Sequence, residues 1–142
     1  MPVQVRWSDL DPNFHLRHSV YYDWGTLCRL DFLSSVGLTW KRMQQLQTEP
    51  IIFREECIFK KEIRLNDPVT IDMMMLKAKR DFSRFTIRHE INRNPETVSA
   101  ILTVDIAWMN GATRKFTVLP KKLLTSCQKL LLLKILNGLI RR

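Results

Sequence analysis

The sequence predicts an α+β domain in which one curved antiparallel sheet wraps around one long central helix, followed by a C-terminal helix. Residues 19–36 are helical in type and apolar around most of the helix circumference, and residues 51–120 alternate between apolar and polar with period two. A helix that is apolar on most of its faces is buried. The sheet would keep a free edge and an open face, so we expect a second copy of the chain to cover them.

The first third of the chain carries clear start and stop signals. Residues 2–7 alternate and predict a short strand, and Pro12 and Asn13 mark the turn that follows it. Gly37 is placed to end the central helix, with Leu38 supplying the apolar contact of a glycine C-cap. Thr39 then offers the N-cap of a short helix that extends to about residue 46.

The period-two region predicts four strands joined by tight turns, which is typical of an antiparallel meander. The breaks between the strands lie at residues 66–68, 79–81, 94–95 and 110–111. One face of the first strand is predicted to carry Ile51, Phe53, Cys57, Phe59 and Ile63.

The tail, residues 121–142, has apolar side chains at helical spacing. Its longest apolar run, residues 130–133, is too short to cross a bilayer. We expect this helix to pack on its own sheet or on a partner subunit. Its basic residues leave a helix lying on a membrane surface as the alternative.

Composition limits the classes of function. The chain has 142 residues, 45% of them apolar and 26% charged, which is typical of one soluble globular domain. Its net charge of +9 fits either solvated basic faces or a phosphate-bearing ligand. No basic cluster interleaved with aromatic residues stands out on a strand, so nucleic acid is not an expected partner. The three cysteines are far apart and no secretory signal or membrane span is visible, which predicts reduced thiols and a cytoplasmic location.

Cofactor motifs are also missing from the sequence. The four glycines cannot build a phosphate-binding loop or a dinucleotide fingerprint. His15 and His18 are three residues apart, but the further ligands of a metal site are not evident near them. We therefore expect no metal and no cofactor.

The ionisable residues concentrate in the segment just before the central helix. Asp9 and Asp11 could simply cap that helix, because a carboxylate near a helix N-terminus is stabilised by the dipole. The functional alternative is an acyl-transfer site, in which backbone N–H groups at the helix N-terminus polarise a carbonyl and a carboxylate attacks it or directs a water at it. His18 would lie at this N-terminus.

The same segment resembles the entry motif of hotdog-fold acyl-CoA thioesterases, in the branch related to 4-hydroxybenzoyl-CoA thioesterase. Asp9-Leu10-Asp11-Pro12 matches the acidic pair of that motif, and Asp11 falls on the catalytic aspartate of the family. Phe14 stands where the family usually has glycine. Residues 64–67, 81–85 and 113–120 resemble later turns and the closing strand, so the resemblance extends from about residue 3 to residue 124.

The resemblance implies a thioesterase that hydrolyses an acyl-CoA to free acid and coenzyme A as a homodimer or a dimer of dimers, with active sites at the subunit interface. It implies a catalytic pair of Asp11 and His18, the latter through its helix-terminal N–H and its ring. Four further residues are candidates for substrate contacts, the first two near the thioester and the last two at the phosphates: His15, Tyr21, Arg84 and Arg114.

Three points stay open at this stage. The alternative function is a non-catalytic hotdog protein that binds acyl-CoA or an acyl carrier protein. Trp24, Phe53 and Met75 could line an acyl pocket or belong to the ordinary core. The expected division is a thioesterase domain over residues 1–124 and a helical extension over residues 125–142.

Overall fold

A computed structural model describes residues 1–129 as a curved five-stranded sheet around one long helix. A 3₁₀ turn at Trp7–Asp9 precedes two helices and five strands: α1 His18–Ser35, α2 Trp40–Leu46, β1 Thr48–Phe59, β2 Thr70–Ile71, β3 Met74–Ala78, β4 Arg84–Asn94 and β5 Thr97–Asn110. Residues 121–129 are helical, so the expected boundary after residue 124 falls inside a helix. The predicted hotdog fold is confirmed.

The strand order corrects the predicted meander. The order is β1-β5-β4-β2, with β3 also pairing with β4, so the first strand lies beside the last one. Its register extends from Thr48 opposite Asn110 to Phe59 opposite Ala100. The long β5 can pair along the whole of β1, whereas β2 contributes only two residues, and so the ladder with β5 offers far more hydrogen bonds.

Two local predictions for strands were wrong. Residues 2–7 form no strand: Pro2 makes a single bridge to Thr70, because the facing strand β2 is only two residues long. In β1 a bulge lies between Ile52 and Arg54; Ile52 lines an apolar cavity whereas Phe53 does not, and both side chains are exposed. A bulge changes the face on which the later side chains point, which breaks the single predicted face.

The helix predictions are confirmed by the caps. The Thr39 hydroxyl accepts a hydrogen bond from the backbone N–H of Arg42 at 3.2 Å, and α2 begins at the next residue. Gly37 has φ +83°, and the N–H of Leu38 donates to the carbonyl of Leu33 at 2.9 Å. Leu38 is buried in the core. The glycine therefore ends α1 as its sequence position predicts.

The core lies between α1 and the concave face of the sheet. Residues such as Val20, Trp24, Cys28 and Phe32 on α1 are buried. A Cβ at Gly25 would overlap the side chain of Leu102, so the helix approaches β5 closely at this glycine. Among the described residues, no helix is long and apolar enough to cross a membrane; the apolar run 130–133 lies outside them.

Candidate functional site

The two aspartates before α1 have different environments. Asp9 is 1% exposed, and its carboxylate accepts hydrogen bonds from the Arg6 guanidinium at 2.8 and 3.1 Å and from the Arg6 backbone N–H at 2.9 Å. The hydrogen bond from the Arg6 side chain is the main reason that the pKa of Asp9 lies below its ordinary value, against the opposing effect of burial. Its carbonyl also accepts from the N–H of Arg17 at 2.8 Å. Asp9 therefore anchors the loop at the start of α1.

Asp11 is oriented by its own loop and remains half-buried. Its Oδ1 accepts hydrogen bonds from the backbone N–H groups of Asn13 at 2.8 Å and His15 at 3.1 Å. Within residues 1–129, no hydrogen bond involves Oδ2. One oxygen thus fixes the carboxylate, and the other is available to a reacting group.

Phe14 explains why glycine suits this position of the loop. Its φ is +61°, in the left-handed region that glycine adopts without strain and a bulky residue does not. The ring is 65% exposed and lies 6.3 Å from the ring of Trp7, which is 69% exposed. The sequence resemblance already marked Phe14 as unusual. It did not predict the contact of Phe14 with Trp7, because that contact depends on the loop conformation.

The N-terminus of α1 is open. Its first residue, His18, is exposed, and the N-cap residue Arg17 makes no side-chain cap; the Arg17 Nε instead donates to Ser19 Oγ at 3.0 Å. No acidic residue lies in the first turn of the helix. The first-turn N–H groups can therefore bind a carbonyl oxygen or an anion.

His15 and Tyr21 lie close to this end of α1. His15 is half-buried and forms a backbone bridge with Arg64. Tyr21 is buried, with its ring edge-on to Phe59 at 5.0 Å. The pKa of Tyr21 is raised to about 12, mainly by burial; the negative charge of Asp11 is among the smaller causes. The phenol is therefore protonated at neutral pH and can donate a hydrogen bond.

Arg84 and Arg114 lie at the other end of the sheet. Arg84 is opposite Ala107 on β5, whereas Phe59, beside Tyr21, is opposite Ala100. Seven residues of strand separate these positions by about 23 Å. The Arg84 guanidinium lies 4.3 Å from the centre of the Phe116 ring, and Arg114 is paired with Glu49 at 2.9 Å. Within one chain, the structure does not bring these arginines to Asp11.

An apolar cavity of about 240 Å³ lies beside the C-terminal half of α1. Of the candidate acyl-pocket residues, Met75 lines it, while Trp24 and Phe53 do not. The wall is completed by α1, by the sheet and by the C-terminal segment, which contributes Leu119, Leu124 and Cys127. Burial raises the pKa of the Cys127 thiol to about 11.

Two polar side chains of the cavity wall, the exposed Thr26 and the buried Arg29, belong to a cluster that the sequence analysis missed. The Arg29 guanidinium donates to Thr26 Oγ1 at 3.0 Å and to Glu55 Oε1 at 3.2 Å, and lies 3.2 Å from His89 Nε2. Arginine has no acceptor, so Nε2 of His89 must accept and its Nδ1 must donate to the Asp72 carbonyl at 2.9 Å. The ring of His89 is therefore neutral, and burial lowers the pKa of Arg29.

The described residues contain no group of three or more His, Cys, Asp or Glu side chains that could hold a metal ion. Asp9 is engaged with Arg6, whereas Asp11 keeps one carboxylate oxygen outside the hydrogen bonds of residues 1–129, and the N-terminus of α1 has no side-chain cap. Carboxylates and helix-terminal N–H groups are the kinds of group that acyl transfer uses.

Comparison with protein families matches residues 5–126 to the thioesterase-like superfamily. Comparison with curated proteins finds no match. Among solved structures, a hypothetical protein from Staphylococcus aureus in complex with CoA is 18% identical with a TM-score of 0.85, covering 92% of this chain and 82% of that one. A thioesterase from Thermus thermophilus complexed with coenzyme A and Zn is 21% identical with a TM-score of 0.76, covering 92% of each chain. A 1,4-dihydroxy-2-naphthoyl-CoA thioesterase from Synechocystis is 16% identical with a TM-score of 0.79, covering 89% of this chain and 93% of that one.

Proposed function

This chain belongs to the thioesterase-like superfamily, and we propose that it hydrolyses the thioester bond of an acyl-coenzyme A to free acid and coenzyme A. The observation that carries the proposal is Asp11, whose carboxylate is oriented through Oδ1 in the loop that leads into the open N-terminus of α1. The structural neighbours that bind coenzyme A, or are named as CoA thioesterases, support the choice of substrate.

In the proposed reaction, the thioester oxygen accepts a hydrogen bond from the backbone N–H of His18. Asp11 acts through Oδ2, either by attacking the carbonyl carbon or by taking a proton from a water that attacks it. The carbon–sulfur bond breaks and the thiolate of coenzyme A takes up a proton. If water attacked, the acyl group is then already the free carboxylic acid; if Asp11 attacked, a water hydrolyses the acyl–aspartyl anhydride, which releases the acid and restores the carboxylate. The ring of His18 orients substrate or water, and His15 and Tyr21 supply polar contacts.

The proposed active unit is a homodimer joined along β1, which can also assemble as a dimer of dimers. Twelve residues of β1 form an edge of the sheet in the single chain. Apolar side chains are exposed on β1 and on the adjoining helix: Ile58, Phe59, Leu27 and Leu30. An unpaired edge next to an apolar face is suited to pairing with a second copy.

Two-fold pairing also gives Arg84 and Arg114 a route to the substrate. When two β1 strands pair antiparallel about a two-fold axis, the end of one sheet near Phe59 lies beside the opposite end of the other. The arginines of one subunit would then approach Asp11 of the other, where they could contact the phosphates of coenzyme A. We place this enzyme in the cytoplasm, which suits its three free cysteines.

The test is a panel of acyl-CoA substrates incubated with the purified protein, with released coenzyme A measured by a thiol reagent. The proposal predicts turnover of at least one acyl-CoA and a decrease of at least about a hundredfold in kcat/KM after Asp11→Asn. The alternative, a protein that binds acyl-CoA or an acyl carrier protein without hydrolysis, is favoured by the bulky Phe14 beside the site. Acyl-CoA binding measured by calorimetry, with no coenzyme A release across the panel, would establish that alternative.

A further inference from the structure

We propose, as an extension of the proposed thioesterase function, that the acyl group is a long unbranched aliphatic chain seated in the apolar cavity, and that Leu124 and Cys127 of the C-terminal segment limit its length. The inference rests on the lining of the cavity, on its position along α1, and on its distance from Asp11 and His18.

The lining suits an uncharged hydrocarbon chain. Nearly all of the wall is apolar, and the two polar side chains, Thr26 and Arg29, are hydrogen-bonded to each other. Arg29 is also paired with Glu55, so the charge that it brings to the wall is balanced. A polar ligand would give up hydrogen bonds to water and find few free partners in this wall. An alkyl chain has no such hydrogen bonds to lose on entering the cavity.

The cavity lies on the same face of α1 as the reactive end. His18, Tyr22 and Thr26 follow one another at four-residue steps, and Arg29 and Leu33 continue the same face. Thr26, Arg29 and Leu33 all line the cavity. A chain that starts at the thioester and follows this face of the helix therefore enters the cavity.

Strand β1 forms the other side of this path. From the N-terminus of α1 onward, Tyr21 contacts Phe59, the Arg29 side chain reaches Glu55, and the cavity brings Leu33 together with Pro50. The contacts on β1 thus occur in reverse order along the strand. The helix and this edge strand therefore lie side by side and antiparallel from the N-terminus of α1 to the cavity.

The helix rise sets the length of the substrate. Thr26 is eight residues from His18, or about 12 Å, and Leu33 is fifteen residues away, or about 22 Å. An extended chain advances about 1.2 Å per bond, so about ten bonds reach the near end of the cavity and about eighteen reach the far end. The volume of about 240 Å³ holds about eight groups of the size of a water molecule. This number agrees with the roughly eight bonds between the near end and the far end of the cavity. We therefore expect acyl chains of roughly twelve to eighteen carbons.

The test compares kcat/KM for butanoyl-, octanoyl-, dodecanoyl- and hexadecanoyl-CoA, with benzoyl-CoA as a compact aromatic substrate. The wild type should favour the two longest chains. Leu124→Trp fills the cavity and should lower kcat/KM for hexadecanoyl-CoA at least about tenfold, while leaving butanoyl-CoA nearly unchanged. Thr125→Trp, at the exposed neighbouring position, is the matched control and should keep the wild-type profile. If Leu124→Trp fails to fold, Met75→Trp introduces the same obstruction from the opposite wall.

A second measurement separates this inference from the proposed function. Dodecanoate binding, followed by titration calorimetry, should be lost in Leu124→Trp and retained in Thr125→Trp. Dodecanoate binding without hydrolysis of any acyl-CoA would support the cavity assignment and overturn the thioesterase proposal. Hydrolysis with a flat chain-length profile, or with a preference for benzoyl-CoA that Leu124→Trp does not alter, would overturn the cavity assignment and leave the thioesterase proposal intact.

Discussion

The two ends of α1 satisfy their polar groups in opposite ways. At the N-terminus, His18 is exposed, no side chain caps the helix, and Asp11 uses only one carboxylate oxygen within the described chain. From the middle of the helix onward, the polar side chains of the exposed Thr26 and the buried Arg29 are bonded to protein partners. Unused donors and acceptors therefore collect at the end of α1 where we propose that the reaction occurs, and the apolar cavity lies where the polar groups are bonded to one another.

The contrast teaches that chemistry and substrate selection can be separated along a single helix. Changes at the N-terminal end should alter the rate for every substrate. Changes at the cavity end should alter stability or chain-length preference, because the groups there contact either one another or the distal part of the acyl chain.

The largest expected effect is at the reactive end. Asp11→Asn should lower kcat/KM at least about a hundredfold, or about 3 kcal/mol of transition-state stabilisation. The amide oxygen can still accept from Asn13 and His15, so the loop should fold normally. Rates from coenzyme A release, with circular dichroism to verify folding, provide the measurement.

A matched control for Asp11 lies at residue 81. Asp81 accepts a hydrogen bond from the N–H of Ser83 two residues later, at 3.0 Å, much as Asp11 does from Asn13, but it precedes β4 at the far end of the sheet. Asp81→Asn should keep the wild-type kcat, because Asp81 is not among the residues that we place at the thioester. Turnover close to wild type in Asp11→Asn itself would remove that residue from the mechanism.

The next effect concerns the buried cluster at the cavity end. Arg29→Met should lower the free energy of unfolding by about 2–3 kcal/mol, because it leaves Glu55 and the Nε2 of His89 without their cationic partner in a poorly solvated place. The double variant with Glu55→Met should recover part of the loss, since no unpaired charge remains. Urea unfolding measures both. A double variant no more stable than Arg29→Met would contradict this account of the cluster.

Replacing Asp9 should lower stability less than replacing Arg29, and the loss should depend on pH. Asp9→Asn should lower the free energy of unfolding by about 1–2 kcal/mol at pH 7, a modest value because Arg6 is exposed. The folded pKa of Asp9 lies below its unfolded value, so the stabilisation is fully present above the unfolded pKa near 4 and is lost as the pH falls through the folded pKa. Unfolding midpoints of the two proteins should therefore converge on acidification below pH 4. If the two unfolding midpoints still differ below about pH 4, the lower stability of Asp9→Asn comes from altered packing and not from the lost charge.

The comparison also shows what could be predicted from sequence. The ends of α1 and α2 depend on neighbouring residues, and Gly37 and Thr39 therefore identified them correctly. The partner of β1 depends on a strand about fifty residues away, which is why the meander was wrong. A bulge such as the one before Arg54 changes the facing of a strand, and the nearby Pro50 does not by itself fix the position of the bulge.

The candidate site follows the same division. Asp11 was found because its motif is contiguous, and the loop that orients it spans only residues 11–15. The Arg29 cluster joins positions 26 and 60 residues apart, and the cavity wall recruits Cys127 from beyond the sheet. Such groupings are made by tertiary packing, and no spacing rule in the sequence marks them.

The smallest expected effect is at Phe14, which lies in the loop of the reactive end but packs on Trp7. Phe14→Gly relieves a left-handed backbone strain of about 1 kcal/mol and adds a similar entropy cost in the unfolded state, so stability should change by less than about 1 kcal/mol. Phe14→Ala removes the same ring but keeps the strain, and should be the less stable of the two in urea unfolding. Because the exposed ring packs on Trp7 and does not line the cavity, acyl-CoA hydrolysis should stay within about threefold of wild type. A large rise in turnover in both variants would mean instead that Phe14 obstructs the site, as the binding-only alternative requires.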